Sequence, residues 1–179
     1  MAISAGITIE EFERLPDALV CNRELVNGEL VDVSGNTPSH NRLRDLLILM
    51  LRPRVEGPKL GMIIAEQEFE FDQNAHGPDV AFISAAKIHL IDWKKRVQRF
   101  VPDLAIEIVS QNDTFKNLMK KAVRYRKCGT SDVWVLSPDT RQAFVLSEER
   151  RVILEGADVL ESELIPGFSI RLGELFDSV

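Results

Sequence analysis

Two short apolar runs most constrain how this chain folds, because they predict strands that are covered on both faces. Residues 80–83 follow Pro78 and Asp79, and residues 104–109 are apolar except for Glu107. Continuous apolar runs of this length are typical of strands in the interior of a sheet. A charged side chain is rarely buried without a partner, so Glu107 indicates either a paired carboxylate or a functional one.

The amino-terminal part of the chain predicts a short helix and a β-hairpin. Thr8 and Glu11 have the spacing of a capping box, which predicts a short amphipathic helix that stops at Pro16. Asn27 and Gly28 accept the positive φ angles of a tight turn, so the alternating segments on either side of them are predicted to pair as a hairpin.

Two longer helices are separated by strands. Apolar positions recur at steps of three and four from Ser39, which predicts a helix ending near Pro53. Residues 62–71 alternate and are predicted as one strand. A second helix is expected from Asp113 to about Lys127, followed by strands at residues 131–136 and 141–146. Strands interleaved with two substantial helices predict an α/β or α+β fold, with a mixed central sheet flanked by helices and not a doubly wound one.

Composition favours a single globular domain and excludes several classes of protein. The 179 residues are 45% hydrophobic and show no repeat or linker, so we expect one domain over residues 1–179. Cys21 and Cys128 have no neighbouring cysteine, which excludes a disulfide framework and a thiolate zinc site. No apolar run has the ~18 residues that a membrane helix needs, and residues 1–6 lack the features of a signal peptide. We therefore expect no membrane association and a cytoplasmic location.

The formal net charge of −6 argues against a protein that coats nucleic acid through an excess of Lys and Arg. The charge is unevenly distributed, because residues 1–127 are neutral overall and residues 128–179 carry the whole surplus of acid. A protein that engages a phosphate backbone locally, through a metal ion, is not excluded.

Asp79 and Glu107 are the candidate metal ligands. Asp79 begins one apolar strand and Glu107 lies within the other, so their carboxylates converge if the two strands are neighbours. Mg²⁺ keeps several waters and usually takes only one or two protein carboxylates together with substrate phosphate. Such an ion polarises a phosphoryl oxygen and activates the attacking water. The alternative is structural: Asp79 caps a turn and Glu107 forms an ion pair.

Helical geometry selects Lys121 as the cation that can join these carboxylates. Lys121 lies about 60° around the helix from Leu118, whereas Lys116 and Lys120 lie about 160° away and should face water. The predicted buried stripe of this helix consists of Phe115, Leu118, Ala122 and Tyr125. An ammonium at the edge of that stripe can meet a carboxylate pair or stabilise negative charge on a phosphate.

Several short motifs occur in a characteristic order over residues 8–177. They are ELVNGELV at 24–31, Pro38 with His40, PDVAF at 78–82, PDLAIEIVS at 102–110, Lys121 with Tyr125 and Gly129, VWV at 133–135 and LIPGF at 164–168. Each motif alone is weak, but their ordered combination resembles the Uma2 family. The members of that family are predicted bacterial endonucleases with the PD-(D/E)XK restriction-endonuclease-like fold.

The resemblance implies metal-dependent hydrolysis of phosphodiester bonds in DNA. Asp79 and Glu107 are then the ligands of Mg²⁺, for which Mn²⁺ can substitute, and Lys121 is the lysine that stabilises charge on the phosphate. In the usual pattern of the superfamily this lysine lies two residues after the second acid, where this chain has Val109. The resemblance implies a migrated lysine, supplied by the following helix.

Glu29 and His40 also match positions of the family. The resemblance implies that Glu29 is a further metal ligand or a group behind the ligands; the alternative is a solvent-facing residue of the hairpin. His40 is expected to polarise water or contact phosphate, or else to form a hydrogen bond at the start of its helix.

The leading hypothesis is an endonuclease that acts on DNA, as a homodimer that makes paired cuts. The alternative from a different class is a catalytically inactive module that keeps the fold and binds nucleic acid or protein. Hydrolysis of RNA is a third hypothesis. Retention of Asp79, Glu107 and Lys121 together favours the enzyme.

Overall fold

The computed structural model of the chain describes residues 6–33, 36–110 and 114–179. The helices are α1 (Ile9–Arg14), α2 (Asp17–Val20), α3 (Pro38–Glu56), α4 (Phe115–Lys127) and α5 (Leu172–Asp177), with a 3₁₀ turn at Ile88–Leu90. The strands are β1 (Arg23–Val26), β2 (Glu29–Asp32), β3 (Gly61–Ala65), β4 (Glu68–Phe71), β5 (Asn74–His76), β6 (Val80–Ser84), β7 (Val97–Gln98), β8 (Leu104–Ile108), β9 (Asp132–Ser137), β10 (Gln142–Ser147), β11 (Arg151–Glu155), β12 (Val159–Glu161) and β13 (Ser169–Arg171). In these parts of the chain, no helix is long and apolar enough to cross a membrane.

The central sheet has six strands in the order β11-β10-β9-β8-β6-β3. Its β8–β9 pair is parallel, and α4 forms the crossover between these two strands, while the other neighbouring pairs are antiparallel. The two apolar runs of the sequence are the neighbouring strands β6 and β8. The predicted mixed sheet flanked by helices is therefore confirmed.

Helices cover both faces of the central sheet, so β8 is buried on both sides. Ile106 and Ile108 pack with α3 and α5 on one face. Ala105 packs on the other face with Leu118, Ala122 and other residues of α4. Since side chains alternate along a strand, Glu107 belongs to the face that α4 covers.

The amino-terminal hairpin belongs to a second sheet, with the order β2-β1-β5-β4-β7. Its turn residues Asn27 and Gly28 have φ angles of 51° and 80°, as the prediction required. Leu25 of β1 is buried with Phe12 and other residues of α1, whose capping box forms as predicted. The opposite side of β1 is thereby free to face α4.

Two predicted boundaries are wrong. Residues 62–71 form not one strand but β3 and β4, which belong to different sheets and are separated by Glu66 in a left-handed conformation with φ 54°. Helix α3 continues through Pro53 to Glu56. A proline has no amide hydrogen, so the carbonyl four residues earlier loses its helical hydrogen bond. Here that carbonyl belongs to Leu49, which is 70% exposed, so water can satisfy it.

The start of α4 is described from Thr114, whose side chain caps the helix by accepting a hydrogen bond from the amide of Asn117. Asp113, predicted as the first residue of this helix, lies outside the described residues, as does the side chain of Phe115.

Candidate active site

The structure brings Asp79 and Glu107 to neighbouring positions on adjacent strands. Val80 of β6 is paired with Ile106 of β8, and one further step along this antiparallel ladder sets Asp79 across from Glu107. Directly opposed residues of a sheet point to the same face. Asp79 Oδ2 also accepts a 2.7 Å hydrogen bond from the amide of Ile108, which fixes the aspartate against β8.

Glu107 is 4% exposed and is met by two side chains of α4. The hydroxyl of Tyr125 donates a 2.7 Å hydrogen bond to Glu107 Oε1, and Lys121 Nζ lies 3.0 Å from the same oxygen. Lys121 and Tyr125 are four residues apart and so lie on one side of the helix. The buried glutamate noticed in the sequence therefore has both a cationic partner and a neutral donor.

Burial raises the pKa of the Glu107 carboxyl to about 7; the charge of Lys121 opposes this rise, and the charges of Asp79 and Glu24 add to it. A nearby negative charge disfavours ionisation of a buried carboxyl. The site is thus electrostatically suited to a further cation beside Glu107.

Lys121 joins Glu107 to a third carboxylate, that of Glu24. Its Nζ atom lies 2.8 Å from Glu24 Oε1 and 3.0 Å from Glu107 Oε1. Burial alone would lower the pKa of Lys121, but the charges of Glu107 and Glu24 hold it above its ordinary value. Lys116 and Lys120 are exposed, as the helical spacing predicted, so α4 presents Lys121 to the carboxylates.

Asp79, Glu107, Lys121 and Glu24 form one cluster of charged side chains. Glu24 is the member that the sequence did not predict. Its Oε1 also accepts a 3.0 Å hydrogen bond from the amide of Gly77, and its Oε2 lies 2.8 Å from His76 Nδ1. Burial alone would raise the pKa of Glu24, but the charge of Lys121 and the hydrogen bond from His76 outweigh it and lower the pKa to about 2. Glu24 is therefore a carboxylate throughout the ordinary pH range.

Glu29, the acidic residue of the hairpin that was predicted as a site member, is not part of the cluster. It is exposed on β2, where it pairs with Val26 at the end of the hairpin. The order of the second sheet explains the difference, because β1 is an inner strand and β2 is an edge strand.

His76 connects the cluster to the outer side of α4. Its Nε2 lies 3.0 Å from Arg124 NH1, and its Nδ1 lies 2.8 Å from Glu24 Oε2. Arginine only donates hydrogen bonds, so Nε2 is the acceptor and Nδ1 carries the proton that is donated to Glu24. Burial lowers the pKa of His76, although the hydrogen bond to Glu24 opposes the shift, which agrees with a neutral ring.

His40 lies in the first turn of α3 and is 2% exposed. Its Nε2 is 3.2 Å from Asp79 Oδ1, while its backbone amide donates to the hydroxyl of Thr37. The helix-start hydrogen bond is thus present, and the ring contacts a candidate metal ligand, which neither predicted alternative included.

The residues present fit Mg²⁺ better than zinc. Within the described ranges, no group of three or more His, Cys, Asp or Glu side chains is arranged to hold a metal ion. Structural zinc sites usually need four protein ligands and catalytic ones three. Two opposed carboxylates, Asp79 and Glu107, match Mg²⁺, which fills its remaining positions with water and substrate oxygens.

Comparison with known proteins gives a family and a shared fold. The model of the Uma2 family, described as "Putative restriction endonuclease", matches residues 9–173. A solved structure described as a "putative nuclease belonging to DUF820 from Anabaena variabilis ATCC 29413" superposes with a TM-score of 0.86 at 19% identity, over 96% of this chain and 98% of that chain. No curated protein matches the chain.

Proposed function

The chain belongs to the Uma2 family of putative restriction endonucleases, and on that premise we propose that it is a metal-dependent endonuclease that hydrolyses phosphodiester bonds in DNA. The observation that carries the proposal is one cluster of side chains: Asp79 stands across from Glu107, and Lys121 Nζ lies 3.0 Å from Glu107 Oε1. Two carboxylates and a fixed ammonium are the groups that phosphodiester hydrolysis needs at a metal site.

Asp79 and Glu107 would hold Mg²⁺, or Mn²⁺ in its place. The ion, when bound, polarises a phosphoryl oxygen and lowers the pKa of the attacking water. The amide of Ile108 orients Asp79, and Tyr125 orients Glu107, so both carboxylates are in place before substrate arrives. Preorganised ligands of this kind lower the reorganisation that binding requires.

Lys121 supplies a fixed positive charge beside the scissile phosphate. Glu24 Oε1 lies 2.8 Å from Nζ, and its charge helps to keep the ammonium protonated. A cation that is already oriented in a water-poor site stabilises the charge that develops on the phosphate. Lys121 is therefore proposed as a catalytic residue, and Glu24 as the residue that positions it.

A nucleic-acid substrate is supported by the outer side of α4. Lys116, Lys120 and Lys127 line an open groove of about 1220 Å³, together with Arg99 and Arg124 and the acidic Glu70 and Asp72. Cations along a groove can contact successive phosphates without reading sequence. Arg124 both lines this groove and contacts His76, so the groove adjoins the carboxylate cluster.

The proposal is tested by incubating supercoiled plasmid, linear duplex and single-stranded DNA with the protein and Mg²⁺ or Mn²⁺. We expect nicking or cutting that is lost in Asp79→Asn, Glu107→Gln and Lys121→Met, and kept in Asp139→Asn and Lys94→Met, which change the same residue types at exposed positions outside both the cluster and the groove. Cleavage that survives both Asp79→Asn and Glu107→Gln would overturn the assignment of the site.

Absence of cleavage from all DNA substrates would overturn the proposed activity and favour the binding module. Titration calorimetry with Mg²⁺ separates the two further, since a binding module needs no metal site that depends on Asp79 and Glu107. Including RNA as a substrate in the same assay tests the third hypothesis, that the protein hydrolyses RNA.

A further inference from the structure

Strand β11 is an outer strand of the central sheet. It pairs with β10 on one side, and in the described parts of the chain no strand is hydrogen-bonded to its other side. The strand that follows, β12, pairs with β13 in a separate two-stranded sheet. An unpaired edge is a template for another strand, and edges of natural proteins are usually covered or blunted.

The α4 face beside this edge carries exposed apolar side chains, with charged residues around them. Ile153 at the middle of β11 is 57% exposed, and Val123 on α4 is 42% exposed. Between them lies a groove of about 530 Å³ that Met119 and Phe144 also line. Exposed apolar surface next to an open strand edge indicates a contact surface for another protein.

The backbone amide and carbonyl at the middle of β11 point away from β10. The amide of Glu155 is bonded to Asp158 Oδ2 and its carbonyl accepts from the amide of Asp158, so both groups point away from β10 and are satisfied within the chain. Because backbone groups of a strand alternate in direction, the amide and carbonyl of Ile153 also point outward. Two antiparallel copies centred on Ile153 would therefore exchange a pair of hydrogen bonds there.

The side chains of β11 are complementary to those of a second copy of the same strand. Its sequence is Arg-Val-Ile-Leu-Glu from Arg151 to Glu155. An antiparallel pairing about Ile153 sets Arg151 opposite the partner's Glu155 and Val152 opposite the partner's Leu154. By symmetry, each of these pairs is formed on both sides of the axis. Opposite charges directly across a strand pair stabilise it, and like charges destabilise it.

We propose that β11 is a dimerisation strand, through which two copies of the chain pair antiparallel about a two-fold axis at Ile153. The two central sheets then form one continuous twelve-stranded sheet. A two-fold axis perpendicular to the sheet places both α4 helices on the same face, and with them both carboxylate clusters. This inference goes beyond the proposed function and does not depend on catalysis.

Light scattering after size exclusion measures the mass directly. We expect twice the 20.2 kDa of one chain for the unchanged protein, and a single-chain mass for Ile153→Lys, which places two like charges at the axis. Leu49→Lys alters an exposed leucine on the outer side of α3 and should stay dimeric. A monomeric unchanged protein, or a dimeric Ile153→Lys, would overturn the proposal.

Charge exchange tests the register. Arg151→Glu alone, or Glu155→Arg alone, places like charges opposite each other at two positions, and each should weaken the dimer by roughly tenfold or more. The double variant should restore it, and the two single variants mixed together should form a mixed dimer. Failure of both rescues would show that the pairing is not centred on Ile153. The mass is measured without substrate, so a failed nuclease assay leaves this result unaffected.

Discussion

The hydroxyl of Tyr125 donates a 2.7 Å hydrogen bond to Oε1 of Glu107, so the one tyrosine of the chain reports on the centre of the candidate site. Burial raises the pKa of Tyr125 well above its usual range, and the charges of Glu107 and Glu24 add to the rise. We expect no phenolate absorption from the native protein near pH 10, where the unfolded chain titrates. Ultraviolet titration with and without denaturant measures this; ordinary ionisation in the native protein would contradict the buried contact.

Replacing Lys121 by Met should destabilise the protein. The change keeps much of the side chain's volume but leaves Glu107 and Glu24 buried without their shared cation. Removing one partner of a buried ion pair costs about 3–5 kcal/mol. Urea unfolding at neutral pH measures the loss. Lys120→Met, at an exposed position of the same helix, should stay within about 0.5 kcal/mol of the unchanged protein.

Glu24 and Glu29 should differ in how they affect the pH dependence of the free energy of unfolding. The pKa of Glu24 is lowered to about 2, from an ordinary value of 4.5. A lowered pKa means that the native state binds the proton less tightly than the unfolded chain, so this stabilisation is present above pH 4.5 and lost as the pH falls towards 2. Its size at neutral pH is on the order of 3 kcal/mol.

The measurement is urea unfolding in metal-free buffer at several pH values. The difference between the unchanged protein and Glu24→Gln should shrink as the pH falls from about 5 to 2. Glu29→Gln removes an equal charge from an exposed position of the same hairpin and should show no such dependence. A dependence in Glu29→Gln of the same size as in Glu24→Gln would mean that the hairpin is not oriented as described.

The sequence could predict Asp79, Glu107 and Lys121 as one cluster because their placement follows from short-range patterns. Two apolar runs indicate interior strands, and a helical spacing of three and four residues selects one lysine of several; both patterns depend only on the periodicity of a strand or a helix. That β6 and β8 are neighbours, which brings Asp79 and Glu107 together, is a condition of the prediction and is supplied by the structure.

Glu24 could not be chosen over Glu29 in the same way. Both lie in a hairpin that the Asn-Gly turn predicts, and which of them faces the cluster depends on the pairing of Leu25 with Ala75, fifty residues away. The break between β3 and β4 is equally non-local, because Glu66 adopts a positive φ angle without the glycine that usually marks such a turn.

His40 should act on metal binding through Asp79. Its Nε2 atom lies 3.2 Å from Asp79 Oδ1, so it orients a proposed ligand without occupying a ligand position itself. Loss of such a supporting contact typically lowers metal affinity by ~10–100-fold. We expect His40→Ala to raise the Kd for Mg²⁺ by this factor in titration calorimetry, and His89→Ala, an exposed histidine, to leave it unchanged. Unaltered affinity in His40→Ala would leave His40 with only its structural role at the start of α3.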